Sequence, residues 1–252
     1  MIRLVGVSKY YGKFPAVKEL NLDVRPGEVF GFLGPNGAGK TTTVKMMAGV
    51  IQPTAGEIHI DGINLAREPA KAKARMGHIP DRPFIYEKLT GAEFLQFVGG
   101  LYGLERCVTE HRIEELLSLF ELAEWRDELI ERYSHGMKQK VVMAAALLHK
   151  PRVIVVDEPM VGLDPKSARL VKEVFRGLCA GGVSIFMSTH ALEIAEAMCN
   201  RIAIIQRGEV TALGTMDELR EKAASDQGSL ESVFLRLTGG EALKEIAQVL
   251  AM

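Results

Sequence analysis

Residues 34–41 read GPNGAGKT, and this stretch decides the fold. It matches G-x-x-x-x-G-K-[ST] at Gly34, Gly39, Lys40 and Thr41. The apolar run EVFGFLG leads into it as a short strand, and KTTTVKMMAGV leaves it as a helix beginning near Gly39. Gly34, Gly37 and Gly39 let the backbone turn tightly and aim N–H groups at an anion. Lys40 adds a point charge suited to β- and γ-phosphates, and Thr41 a hydroxyl suited to Mg²⁺. The helix start adds the positive end of its dipole.

A phosphate loop of this kind needs an acid beside it. RVIVVDEP, residues 152–159, supplies one at the end of a buried strand. Asp157 is placed to hold a metal next to the phosphates, and Glu158 to polarise a water for attack on the γ-phosphate. RLVGVS, NLDV, GEIHIDG, MGHIP and VSIFMSTH read as further strands, and RIAIIQRGEVTAL as a hairpin around Gly208. Strands alternating with helices around buried apolar strands argue for an α/β sheet. Between residues 89 and 148 helical periodicity takes over, as expected of an inserted subdomain of about 88–150. Thr215 and Glu218 form a capping box for MDELREKA. A polar link at 225–228 then precedes two short helical stretches, so residues 1–214 and 215–252 are expected to be a main domain and a small helical extension.

The bulk properties narrow the function. A net charge of −1 supplies no general attraction to nucleic acid or acidic lipid. The longest apolar runs are too short to span a bilayer, and the start MIRLVGVSKYYGK has no signal-peptide core. Cys107, Cys179 and Cys199 are scattered and form no C-x-x-C, so they read as free thiols in a reducing compartment. His59, His78, His111 and His149 have no metal-ligand spacing.

YSHGMKQK, residues 133–140, places a Ser, a Gly and two Lys at the start of another helix, a second site suited to an anion. With VGLDP at 161–165 and STH at 188–190, the motifs occur in the order of the ATP-binding subunits of ABC transporters, which the chain resembles over nearly its whole length. The form S-x-G-M and the tail SLESVFLRLTG are most similar to the branch with separate membrane subunits of the ABC-2 exporter type. The resemblance implies a P-loop NTPase (RecA-like) core with an antiparallel β subdomain and an inserted α-helical subdomain. It implies ATP and Mg²⁺ as ligands. Nucleotide contacts are then expected at Tyr11, Gly34, Asn36, Gly37, Ala38, Gly39, Lys40, Thr41 and Thr42, with metal contacts at Thr41, Asp81 and Asp157. His190 corresponds to the switch histidine, and catalysis falls to Glu158, His190 and Lys40.

The same resemblance gives the second anion site a purpose. Two copies, or this chain and a similar ABC subunit, are expected to pack head to tail. Ser134 and the Gly136 N–H of one would meet the γ-phosphate held by Lys40 of the other, and Asp164 would act across that dimer. A separate transmembrane permease is implied, docked near residues 81–95, where RPFIYEKLTG exposes Phe84, Ile85 and Tyr86. The chain is then expected at the cytoplasmic face of the cell membrane, with no nucleic acid partner. A soluble ABC ATPase of assembly or repair shares every nucleotide motif and is the rival reading. Two positions depart from the pattern. Asp81 stands where the family usually has Gln, and is expected to face the metal as a charged ligand, the rival being a pair with Arg82. His135 replaces a Gly of the signature, and Met137 a polar residue, suggesting packing across the dimer face.

Overall fold

The computed structural model describes residues 1–223 and 229–238. The chain opens with a hairpin of β1 (Ile2–Tyr11) and β2 (Phe14–Val24), which pair antiparallel and set Tyr11 opposite Phe14. Next come β3 (Val29–Leu33), buried at every position, and α1 (Lys40–Met47). The helix stops three residues before its sequence pattern does. Gly49, at φ +63°, turns the chain there, and a Cβ on it would strike the Lys73 side chain. β4 (Ala55–Ile60) and β5 (Ile63–Asn64) complete a four-stranded antiparallel sheet in the order β2-β1-β4-β5. α2 (Pro69–Ala74) then leads to β6 (Met76–Ile79).

Three helices follow: α3 (Gly91–Leu101), α4 (Arg106–Leu119) and α5 (His135–Leu147). α5 buries nine consecutive residues from Gln139 to Leu147, so it is covered on all sides and forms the centre of this block. The chain returns through β7 (Val153–Asp157), α6 (Pro165–Ala180), β8 (Ser184–Thr189), α7 (Leu192–Met198), β9 (Arg201–Gln206) and β10 (Glu209–Gly214). α8 (Met216–Lys222) begins with both hydrogen bonds of the Thr215–Glu218 capping box, and α9 (Leu230–Thr238) follows. The polar link at 225–228 and the last helical stretch lie outside the described residues.

The second sheet has six strands in the order β10-β9-β3-β8-β7-β6, parallel except for β10. Its inner strands β3, β7 and β8 are buried throughout, as strands covered on both faces must be. One face packs with α1 and the antiparallel sheet, around Phe30, Phe32, Met46 and Phe186. The other packs with α5 and α6, around Val156, Phe175, Ile185 and Met187. A third cluster seats α8 and α9 on Leu33, Ile202 and Ile204. All three cysteines are free thiols, and burial pushes Cys199 up to about 12.

Register positions the site. Leu33 lies beside Thr189 and Asp157 beside Ser188. The residues following β3, β7 and β8 therefore emerge at one edge, the carboxyl ends of the parallel strands, where open α/β sheets hold ligands.

Candidate active site

The loop between β3 and α1 is wound by its glycines. Gly39 has φ +110°, and a Cβ there would stand 2.5 Å from the Ala16 carbonyl. A Cβ on Gly34 would come within 2.3 Å of the Ile205 carbonyl, so no side chain fits at either position. Lys40 is buried and curls back over the loop, donating from Nζ to the carbonyl oxygens of Gly34, at 2.6 Å, and Pro35, at 3.2 Å. Burial lowers its pKa, while Glu158 and Asp157 act to raise it. A phosphate would give this lysine charged oxygens in place of two neutral carbonyls.

Asp157 ends β7 at 3% exposure, and its Oδ1 has no hydrogen-bond partner. Burial raises its pKa most. The Ser188 and Thr41 hydroxyls pull it down, and Glu158 and Asp81 push it further up. An unsatisfied buried carboxylate oxygen, with the Thr41 hydroxyl lining the same cleft, suits a hard divalent cation, which would relieve both the burial penalty and the repulsion. No group of three or more His, Cys, Asp or Glu among the described residues forms a metal cage. A cation here would therefore take most of its ligands from phosphate and water, as Mg²⁺ does.

Glu158 sits just past the strand at φ +49°, a strained conformation for a residue with a Cβ. Its N–H donates to the Ser188 carbonyl at 2.9 Å. Its carboxylate is held at three points. Thr189 Oγ1 donates to Oε2 at 3.0 Å, His190 N–H to Oε1 at 3.0 Å, and His190 Nδ1 lies 2.7 Å from Oε1. The pair can orient a water, because the carboxylate is fixed and the imidazole is largely exposed beside it.

One cleft of about 520 Å³ gathers these groups. Of the residues singled out from the sequence, Tyr11, Asn36, Gly37, Gly39, Lys40, Thr41, Thr42, Asp81, Asp157, Glu158 and His190 line it. Gly34 and Ala38 build the loop without lining the cleft. The N–H of Gly208 donates to the Ala38 carbonyl and ties the loop to the β9–β10 turn. Phe14 and Val161 also line it; Val161 opens the VGLDP stretch, whereas Phe14 had no local signal and arrives through the hairpin pairing that sets it opposite Tyr11. Asp81 is exposed and makes no ion pair within 4.0 Å among the described residues, Arg82 included.

Ser134, Gly136 and Asp164 lie outside this cleft. Ser134 is the N-cap of α5, accepting from the Met137 N–H at 3.3 Å. Asp164 caps α6, accepting from Lys166 N–H, Ser167 N–H and the Ser167 hydroxyl, and the Ser167 bonds hold its carboxyl below the usual range. The two caps adjoin: a Cβ on Gly136 would rest 3.4 Å from the Gly162 carbonyl. The His135 ring lies over Gly162, where a Cβ would stand 2.3 Å from its Cδ2. His135 thus packs within its own chain. Tyr133 is buried with its hydroxyl donating to the Trp125 carbonyl, and Met137 packs on the core around α5.

The ABC transporter family matches residues 17–161, more than half of the chain. A relative in Bacillus subtilis (strain 168), the linearmycin resistance ATP-binding protein LnrL, is 38% identical over 226 residues, 90% of this chain and 73% of that protein. Among solved structures, an ATP-binding subunit of an ABC transporter matches with a TM-score of 0.89 at 34% identity, covering 94% of this chain and 99% of the other. A dimeric post-hydrolysis ATP-binding cassette bound to ADP and Pi matches with a TM-score of 0.78 at 26% identity, covering 86% and 99%. With the phosphate loop, Asp157 and the parallel sheet in register behind them, these likenesses make the chain a member of the ABC transporter family, an ATP-binding subunit with a P-loop NTPase fold.

Proposed function

We propose that the chain hydrolyses MgATP to drive a separate membrane-spanning subunit, in the direction of export. ATP binds with its adenine on Tyr11 and its phosphates in the loop of residues 34–42. Lys40 replaces its carbonyl partners with β- and γ-phosphate oxygens, and Thr41, Asp157 and Asp81 face the Mg²⁺. Glu158 orients the attacking water, and His190 moves from Glu158 to the γ-phosphate. The observation that carries this reading is the Glu158 carboxylate, fixed by Thr189 and by His190 at 2.7 Å, in the same cleft as Lys40 and Asp157. Electrostatic positioning of this kind supplies most of the catalysis in phosphoryl transfer.

Ser134 and Gly136 lie outside the cleft, which suits a second copy or a similar ABC subunit packed head to tail, each nucleotide capped by the partner's signature helix. The dimeric likeness bound to ADP and Pi supports the pairing of two such subunits. The linearmycin resistance relative supports export. Residues 88–150 act as the inserted helical subdomain that follows the nucleotide, and 215–252 as an extension of the main domain. No helix among the described residues is long and apolar enough to cross a membrane, consistent with a peripheral subunit at the cytoplasmic face.

Glu158→Gln keeps the shape of the side chain and removes its basicity. The variant is expected to bind ATP normally, to lose at least about 100-fold in turnover, and to accumulate as a dimer when ATP is added. ATP hydrolysis measured beside size-exclusion chromatography checks this; near-normal turnover would take Glu158 out of the reaction. Affinity purification from gently solubilised native membranes tests the coupling. A stoichiometric multi-spanning protein is expected, and recovery with soluble partners alone would favour an assembly factor.

A further inference from the structure

A second cleft, of about 770 Å³, opens at the other end of the parallel sheet. On its wall Pro151 and Arg152 lead into β7, and Gly182 and Val183 lead into β8. Asp157 and Thr189 end those same strands, so a strand length of roughly 16 Å separates this cleft from the nucleotide edge. The floor is apolar, formed by Leu116 and Leu119 of α4, Leu147 at the end of α5, and Val174 and Leu178 of α6. Leu119 is left 43% exposed by it. Gly177 belongs to the same wall, inside α6, where glycine is disfavoured relative to alanine. A Cβ on Gly177 would meet no atom within 4 Å. Nothing among the described residues requires glycine there, and its missing side chain leaves open space in the cleft.

The rim is cationic. Arg112 donates to Glu115 at 2.6 Å and to the Leu147 carbonyl at 3.2 Å, yet its Nε is buried without a partner. Lys150, exposed and held at φ +52°, makes no ion pair within 4.0 Å among the described residues. Arg152 reaches Asp61 only at 4.0 Å. Arg112, Lys150 and Arg152 thus line the cleft with a single carboxylate, Glu115, which Arg112 already holds.

We propose that this cleft binds a small amphipathic anion, an unbranched aliphatic chain ending in a carboxylate. The chain lies along Leu116, Leu147 and Leu178, and the carboxylate sits between Lys150 and Arg152, where charge-assisted hydrogen bonds hold it. The volume is that of a small-molecule site, and an apolar surface with a few convergent polar groups is the usual makeup of one. A free carboxylate fits better than a bilayer lipid, because the apolar floor is a cleft built by segments from four parts of the chain, not a flat face. The ligand bridges the far ends of α5 and α6, the two helices that begin at Ser134 and Asp164.

Calorimetric titration of the full chain with decanoate tests the assignment, with decanol as the uncharged control. Saturable binding of one decanoate per chain is expected, about tenfold tighter than decanol, as the loss of a charge-assisted bond implies. Gly177→Leu fills the open space at a helical backbone position, so the variant keeps its fold by circular dichroism while decanoate affinity drops about tenfold or more. The double variant Lys150→Glu, Arg152→Glu is expected to match it by reversing the rim charge. Absence of saturable binding, equal affinity for decanol, or unchanged binding by Gly177→Leu would overturn the proposal. So would loss of an oligomer in the Gly177→Leu variant by sedimentation, which would give the cleft to a second copy, or binding only to phosphatidylglycerol vesicles.

Discussion

Asp157 shows how a single residue trades stability for chemistry. Burial raises its pKa above the unfolded value near 3.8. A raised carboxyl contributes stability that is fully present below the unfolded pKa and lost as the pH climbs through the folded one. At neutral pH the ionised side chain therefore opposes folding of the nucleotide-free chain. Asp157→Asn is expected to melt higher than the parent at pH 7, with the gain vanishing below about pH 4, where the parent is protonated too. The same variant should lose Mg²⁺-dependent hydrolysis. Thermal melts at both pH values without nucleotide check the first half, and a lower melting temperature at pH 7 would refute it. Lys40, Asp157, Glu158 and His190 were legible in the sequence because each belongs to a short motif next to an apolar strand. Phe14 was not, because a hairpin brings it to Tyr11; Thr189 lies in the STH stretch, but its contact with Glu158 comes from strand register.

At the scale of elements, α5 joins two demands at one residue. Ser134 caps the helix, and its hydroxyl is also the proposed contact to the partner's γ-phosphate. Two substitutions separate these roles. Ser134→Ala removes the cap and is expected to lower stability by about 1 kcal/mol. Ser134→Asp keeps a capping oxygen and places a negative charge at the positive end of the helix dipole, so stability is retained. That charge repels a phosphate, and ATP-driven dimerisation of the aspartate variant should fail. Denaturant melts and light scattering with ATP read the two effects, and a dimerising aspartate variant would remove the phosphate contact. Ser134 and the Thr215–Glu218 box were readable as helix starts. Thr90–Glu93 closes an equal capping box on α3, and its T-x-x-E spacing is a signal the sequence carries. α2 is harder to read, since a six-residue helix of Pro, Ala and Lys has too few apolar positions for a period.

Taken whole, the molecule carries beside its nucleotide cleft the groove proposed to dock a membrane subunit. Apolar periodicity identifies the strands, but not the order β10-β9-β3-β8-β7-β6, which depends on which buried faces meet in space. That order sets β6 at the edge of the sheet, and the chain leaves it at Asp81 for the helical block. A groove of about 640 Å³ runs there from Thr41 and Asp157, past His78 and Asp81, to Phe84, Val98 and Tyr102. Phe84, at 82% exposure, lines it; Tyr86, at 60%, follows two residues on, outside that lining, and Ile85 packs against the helical core. Two exposed aromatics beside an apolar groove are what a partner helix requires, and Asp81 lies in both this groove and the nucleotide cleft. The double variant Phe84→Ala, Tyr86→Ala gives up little internal packing, chiefly the edge-on contact of Tyr86 with Phe97, worth about 1 kcal/mol. Its ATP hydrolysis in isolation is expected to stay within about twofold of the parent, because neither ring lines the nucleotide cleft. Co-purification with a membrane subunit should be lost. Retained co-purification would move the docking surface elsewhere, and loss of isolated hydrolysis would instead make the rings part of the path between Asp81 and the nucleotide.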